Sequence, residues 1–424
     1  MMSIREVRGS RGLGGWGRTA AWILLALYAL ALLYGVLANP DRMQWDFQTY
    51  YYAGRAFDRG LDPYDMQALS QVAGREIGFP FAYSPVSLPI FRLLGRLDLR
   101  AASALYLALK VAALVLLLVI WRRWFVRDRP DLFFYLFLVF GFGGAIYADF
   151  SSGNISLFEQ LALWLGFAAL MRRRALVFSL LVVVVSLFKL TPILLLGLLL
   201  ISEVRRPGRH LAGGLLLFAA ALGLSYAVWP DLFTSFVQGG WSFDERGGIN
   251  PSSLALFRDL YDYLLGRGLL FEWGALPWLA YFGWVGAVGL LTWRAVRRRP
   301  ADDRRVAVYL ACLAYVLIAP RFKNYAYILL LVPVYELLKT RIIVRSERAL
   351  LLLLMLSGSP PVPFGLSTAA GVLIAGYYSL LGAILIWGLA IRREPPEAEG
   401  GTISPPRTSQ ENGRMAASSG VTDG

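Results

Sequence analysis

Apolar positions in this chain fall into long runs separated by short basic clusters. Nearly uncharged stretches occupy 20–38, 101–121, 132–148, 155–171, 175–201, 211–229, 275–293, 306–319, 325–338, 349–359 and 369–391. A helix needs roughly 20 apolar residues to cross a bilayer, and Lys and Arg gather at cytoplasmic ends. Basic clusters run from Arg5 to Arg18, Arg122 to Arg129, Arg172 to Arg174, Arg205 to Arg209, Arg294 to Arg305 and Lys339 to Arg348, then from Arg392 onward. Alternating spans place each cluster inside, with one conflict. The run 175–201 has basic residues at both ends, is long for one crossing, and reads Ser186-Leu187-Phe188-Lys189-Leu190-Thr191-Pro192 at its middle. Proline removes a helix hydrogen bond, and a lysine in lipid is costly. Two half-helices meeting at Lys189, both opening to the cytoplasmic side, resolve charge and length together. Irregular backbone at that depth must line a cavity. The pattern predicts an all-α polytopic membrane protein with about twelve passes, within a range of roughly ten to thirteen.

The first run follows arginines as a signal peptide does. It is longer than a usual signal core and reads as a retained anchor, with the N-terminus cytoplasmic. Residues 1–391 read as one transmembrane domain with two larger outer loops, 39–100 and 230–274. Residues 392–424, rich in Pro, Glu, Ser and Gly, read as a disordered cytoplasmic tail.

Composition agrees. Of 424 residues 57% are hydrophobic and 17% charged, with a mean hydropathy of +0.55, outside the soluble range. In a soluble chain a net charge of +14, from 42 Lys+Arg against 28 Asp+Glu, would suggest nucleic acid. Here most basic residues mark orientation, so the expected partner is the bilayer and not nucleic acid. One cysteine, Cys312, and one histidine, His210, exclude a disulfide framework and a Cys/His zinc site. No Gly-rich phosphate loop, nucleophile elbow or carboxylate-rich metal motif occurs, so neither cofactor nor metal is expected.

The outer loops hold the candidate chemistry. In Trp45-Asp46-Phe47-Gln48-Thr49-Tyr50-Tyr51-Tyr52-Ala53-Gly54-Arg55-Ala56-Phe57-Asp58-Arg59-Gly60, Asp46 suits a helix N-cap and Gly60 a helix stop. Residues 47–59 would form an amphipathic helix on the membrane surface, with tyrosines at headgroup level. A carboxylate just after a span is also placed to act as a general base, meeting a lipid-borne and an aqueous substrate at once. Asp62 and Asp65, around Pro63-Tyr64, fit turn chemistry. Lys110, inside the second span, has a structural role, pairing with an acid or snorkelling. Lys189 either meets an anionic substrate or pairs with Asp149 or Glu159.

The Asp46 segment, with Asp62-Pro63-Tyr64-Asp65 and Tyr83-Ser84-Pro85, resembles the first outer loop of glycosyltransferase family 87, membrane enzymes of the GT-C class. Gly153-Asn154-Ile155-Ser156-Leu157, Lys189-Leu190-Thr191-Pro192 and Asn250-Pro251-Ser252 are similar to further motifs of that family. The chain departs from it at Asn154 and Pro251, each a glutamine in the family pattern, and in lacking a histidine pair near 320–325. The resemblance implies a GT-C-like bundle with broken half-helices. It also implies inverting transfer of mannose or a similar sugar from a polyprenyl-phosphate donor to a hydroxyl of a glycan or glycolipid acceptor, on the outer face of the cell membrane. In that scheme Asp46 is the base. Lys189, Arg321 and Lys323 contact the donor phosphate, and Tyr50, Tyr83, Asn154 and Asn250 contact substrate. A transporter or flippase of a lipid-linked or small polar substrate would also use a buried lysine on a broken helix.

Overall fold

The structure is a computed structural model describing residues 15–38, 43–127, 130, 132–202, 204–242, 244–299, 304–339 and 369–392. The expected span at 349–359 and the tail 392–424, apart from Arg392, lie outside the described residues. Among the described residues every regular element is helical. In chain order the helices are α1 (Gly15–Ala38), α2 (Trp45–Asp58), α3 (Met66–Ala73), α4 (Leu88–Gly95), α5 (Leu99–Ile120) and α6 (Leu132–Ser152). There follow α7 (Ser156–Met171), α8 (Ala175–Phe188), α9 (Leu198–Ile201), α10 (Pro207–Val228) and α11 (Pro230–Ser242). The last are α12 (Ser253–Gly266), α13 (Leu276–Arg297), α14 (Arg304–Ile318), α15 (Leu331–Leu337) and α16 (Ala369–Arg392).

Five segments, Leu99–Phe125, Leu132–Ser152, Pro207–Val228, Leu276–Arg297 and Ile374–Arg392, are long and apolar enough to cross a membrane. The chain is therefore a multi-pass membrane protein, although twelve full spans are not seen among the described residues. The shorter runs explain the difference. Helix α14 and residues 324–337 are almost wholly buried in the main apolar core, with Tyr327 through Val332 sealed from solvent. A helix surrounded by protein has no lipid thickness to match.

The run 175–201 breaks where its sequence indicates. Helix α8 ends at Phe188, Lys189 is extended (φ −122°, ψ 121°), and 3-10 turns over Thr191–Gly197 lead into α9. Arg173 before the run and Leu200 to Ser202 at its end line one cavity, so both ends emerge at the same end of the bundle. The half-helices are thus paired as a hairpin, with Lys189 at its tip. Helix α6 is also interrupted: Phe142, Gly143 and Gly144 all have positive φ, which two of the three tolerate by lacking a side chain.

The first loop differs from expectation. Helix α2 starts one residue before Asp46, after Gln44 in a left-handed conformation (φ 58°), so Asp46 is not the cap. Nor do its tyrosines reach out to lipid headgroups: Tyr50, Tyr51 and Tyr52 are 4%, 1% and 7% exposed. They pack in a second apolar cluster with Phe81, Tyr83 and Phe91. The contact between α2 and α4 is close because residue 54 is glycine; a Cβ there would lie 2.3 Å from the Phe91 carbonyl oxygen. Gly60 (φ 71°) follows the helix end as anticipated. Asp62 accepts from the Tyr64 amide at 2.9 Å and Asp65 caps α3, so both serve turns.

Deep in α5, Lys110 is 1% exposed and pairs with Asp149, which is fully buried, at 2.6 Å. Its ammonium also donates to the Asp149 and Asn154 carbonyls at 2.6 and 2.8 Å. The lysine therefore clamps both sides of the α6–α7 turn. Removing one partner of a buried pair leaves the other charge uncompensated. Lys110→Met is expected to lose about 3–5 kcal/mol of stability. The double variant Lys110→Met/Asp149→Leu should recover much of the loss, read as unfolding midpoints in detergent.

Candidate active site

Five separate segments converge on one cavity of about 320 Å³. Helix α2 brings Asp46 and Tyr50, and the loop before α4 brings Tyr83. The α6–α7 turn brings Asn154, the α8 break brings Lys189, and the turn after α14 brings Arg321, Lys323 and Tyr325. These lie far apart in sequence and were linked only by the family pattern.

Asn154 is the hub. Its backbone is clamped by Lys110, and its amide nitrogen donates to Asp46 Oδ2 at 2.6 Å, Tyr50 Oη at 3.0 Å and Tyr83 Oη at 3.4 Å. Its amide oxygen accepts from Lys189 Nζ at 3.3 Å and from the Ser156 hydroxyl at 2.9 Å. The Tyr50 and Tyr83 hydroxyls are 2.8 Å apart. One side chain thus separates the Asp46 carboxylate from the Lys189 ammonium. Asp46 is half-buried but enclosed by protein on most sides. Burial raises its carboxyl above the ordinary value, although the Asn154 hydrogen bond and the charges of Lys323, Lys189 and Lys110 oppose that shift.

The cations are held by acids. Lys189 pairs with Glu159 at 2.8 Å, donates to Ser156 Oγ at 2.8 Å, and lies 5.2 Å from the Tyr325 ring centroid. Pairing with Glu159 and facing the cavity therefore hold together. Arg321 donates through Nε and Nη2 to Glu245 Oε2 at 2.9 and 2.6 Å, and Lys323 donates to Oε1 at 2.7 Å. Glu245 comes from the Gly-rich 239–248 stretch, of which Gly240 and Glu245 line the cavity. Burial raises the Glu245 carboxyl, but Arg321 and Lys323 outweigh it and hold the group below the usual range.

Asn250 is placed differently from the other candidates. It does not line the cavity; its amide accepts from the Phe322 backbone and donates to the Glu245 carbonyl, at 2.8 and 3.0 Å. It braces the Arg321 turn from behind. Asp149 is likewise committed to Lys110. Gln160, Tyr325 and Glu245 line the cavity without being marked by sequence. Gln160 is 4% exposed, and its amide oxygen has no hydrogen-bond partner among the described residues. Its only sequence signal is a polar residue inside an apolar run.

The hub role of Asn154 is testable without substrate. Its hydrogen bond lowers the proton affinity of Asp46, so Asn154→Ala is expected to raise the Asp46 titration midpoint further. Infrared difference spectra of the protonated carboxyl band, assigned with Asp46→Asn, measure that shift; an unmoved band would detach Asn154 from Asp46.

No curated protein and no solved structure matches the chain. The model of glycosyltransferase family 87 matches residues 81–320, more than half of it. The matched stretch contains Tyr83, Asn154, Lys189 and Asn250; it begins after Asp46 and ends before Arg321. A helical membrane chain with such a cavity, matched over that length, belongs to glycosyltransferase family 87 and is a membrane glycosyltransferase.

Proposed function

We propose that this enzyme moves a sugar from a polyprenyl-phosphate donor to an acceptor hydroxyl on a glycan or glycolipid, with inversion at the anomeric carbon. One observation carries the reading: a carboxylate with a raised proton affinity and three cations share one cavity, bridged by Asn154. Asp46 takes the proton of the acceptor hydroxyl as its oxygen bonds to the anomeric carbon. The bond from that carbon to the phosphate oxygen breaks, and the phosphate leaves as an anion. Lys189, Arg321 and Lys323 stabilise the departing charge, so no separate general acid is required.

The cavity also suits a lipid donor. Beside Lys189 its wall is apolar, with Leu163, Val185, Phe188 and Leu190, and Leu190 and Leu194 are 42% and 46% exposed at the half-helix. An isoprenoid tail can lie there with its phosphate at Lys189. Orientation follows from charge. Arg172 to Arg174 and Arg294 to Arg299 sit at the ends of α7 and α13 away from the cavity, and that charge pattern supports an outer-face site. Tyr50, Tyr83 and Gln160 offer hydroxyl and amide groups to the sugar.

Glu245 occupies the Arg321–Lys323 pair as an anion does. A phosphate would compete with it for those donors. Glu245→Gln is expected to lower the donor KM several-fold while leaving kcat within about twofold, since neutralising the competitor is worth roughly 1–2 kcal/mol. A raised KM would make Glu245 a positioning group for the cations instead.

Asp46→Asn is expected to insert and fold as the wild type but to lose about 10²- to 10⁴-fold in transfer from a radiolabelled polyprenyl-phosphate sugar. The base must be ionised and its proton affinity is raised by burial. Wild-type kcat/KM should therefore fall on acidification with a midpoint above the ordinary carboxylate range. Near-wild-type turnover by Asp46→Asn would remove Asp46 from the reaction.

A further inference from the structure

A second cavity, of about 290 Å³, lies at the opposite end of the same helices. Helix α7 runs from Glu159 and Gln160 at the candidate active site to Leu170 and Met171 here. Helix α14 runs back from Arg304 here to Tyr315 there. At 1.5 Å per residue, the 11-residue steps from Glu159 to Leu170 in α7 and from Arg304 to Tyr315 in α14 set these lining residues about 16 Å apart. That is about half the thickness of a bilayer core.

Four arginines line this cavity, Arg173, Arg297, Arg299 and Arg304, and no acidic residue lines it among the described residues. Several of their donors are accounted for. Arg304 Nη1 reaches the Met171 carbonyl at 3.5 Å, and Arg299 Nη2 donates to the Ala390 carbonyl at 2.7 Å. Arg299 Nη1, in contrast, is buried without a hydrogen-bond partner among the described residues. An arginine cannot shed its charge, so a buried guanidinium nitrogen with no acceptor carries its full desolvation cost. Arg173 adds a second cost: its φ of 60° is in the left-handed region, which a non-glycine residue adopts only when its surroundings hold it there.

The remaining walls are apolar: Leu170, Leu200, Ile201, Val204, Val296 and Val308. A free phosphate gains nothing from such a surface. A phosphate ester attached to hydrocarbon does, because the arginines take its charge and the aliphatic wall takes its first carbons. Basic pockets between membrane helices bind acidic headgroups in this way.

We propose that the pocket is a binding site for the phosphate of an acidic phospholipid in the leaflet opposite the active site. Arg299 and Arg304 lie at its floor, and Arg173 and Arg297 at its exposed rim. A lipid held here would tie α7, α9, α13 and α14 together at the end where the 175–201 hairpin closes. This site stands independently of the donor and acceptor assigned above.

The test uses the full-length protein in phosphatidylcholine nanodiscs with graded phosphatidylglycerol, and native mass spectrometry to count retained lipid. Wild type is expected to retain one phosphatidylglycerol in preference to phosphatidylcholine. Arg299→Gln and Arg173→Gln should each weaken that retention roughly tenfold, the effect of losing one charge-assisted hydrogen bond. Arg298→Gln, an exposed neighbour outside the pocket, should leave it unchanged, and Arg299→Lys should restore part of it. Arg173 is exposed at the rim, so its variant carries the test if Arg299→Gln does not fold. Equal retention of the two lipids by wild type would overturn the proposal, as would unchanged retention in folded Arg299→Gln and Arg173→Gln. Inorganic phosphate competing as well as phosphatidylglycerol would make this a free-phosphate site and overturn the lipid assignment.

Discussion

A charge placed inside an apolar bundle has to be answered by protein, and in this enzyme the answer given to Lys110 organises the rest. Its ammonium neutralises Asp149 and holds the carbonyls of Asp149 and Asn154, so the α6–α7 turn has one available shape. That shape aims the Asn154 amide at Asp46, Tyr50 and Tyr83 on one side and at Lys189 on the other. Gly153, with φ of 71°, lets the turn approach α2: a Cβ there would come within 2.8 Å of Phe47. The two lysines are therefore adjacent but differently enclosed. Lys110 is sealed and fixes geometry, whereas Lys189 is open to the cavity and free to change partners.

The same logic separates carboxylates with different work. Asp149 is sealed with its lysine, Glu159 and Glu245 hold cations in the cavity wall, and Asp46 alone meets the space with an amide as its direct partner. Burial is what raises its proton affinity, and that property fits the role of base proposed for it.

The parts of this arrangement legible in sequence were those where a rule is broken. Lys189 and Pro192 interrupt an apolar run, and the hairpin they imply is present. The helical class followed from run lengths, but the number of spans did not, because α14 and 324–337 are enclosed by protein and escape the length rule. The tyrosines of α2 were misplaced for a definite reason: an aromatic, amphipathic helix has the same periodicity on a membrane surface as in a packed cluster. The convergence of Asp46, Asn154, Lys189 and Arg321 was suggested by family motifs and by no local pattern. Glu245 was hidden in a Gly-rich loop whose composition says nothing of the cations it meets, and Gln160 by the apolar helix around it.

The hairpin at 175–201 bears on how the protein is made. Helix α8 has 14 residues, about 21 Å of rise, short of a bilayer core, and the second limb is mostly 3-10 turn. Insertion machinery that releases spans sideways according to length and hydrophobicity has no full span to recognise here. Helix α8 contacts α7, which is synthesised earlier, and α10, which is synthesised later. The neighbours of the segment carrying Lys189 are therefore complete only once α10 has been made, so this wall of the candidate site is finished by a later piece of chain.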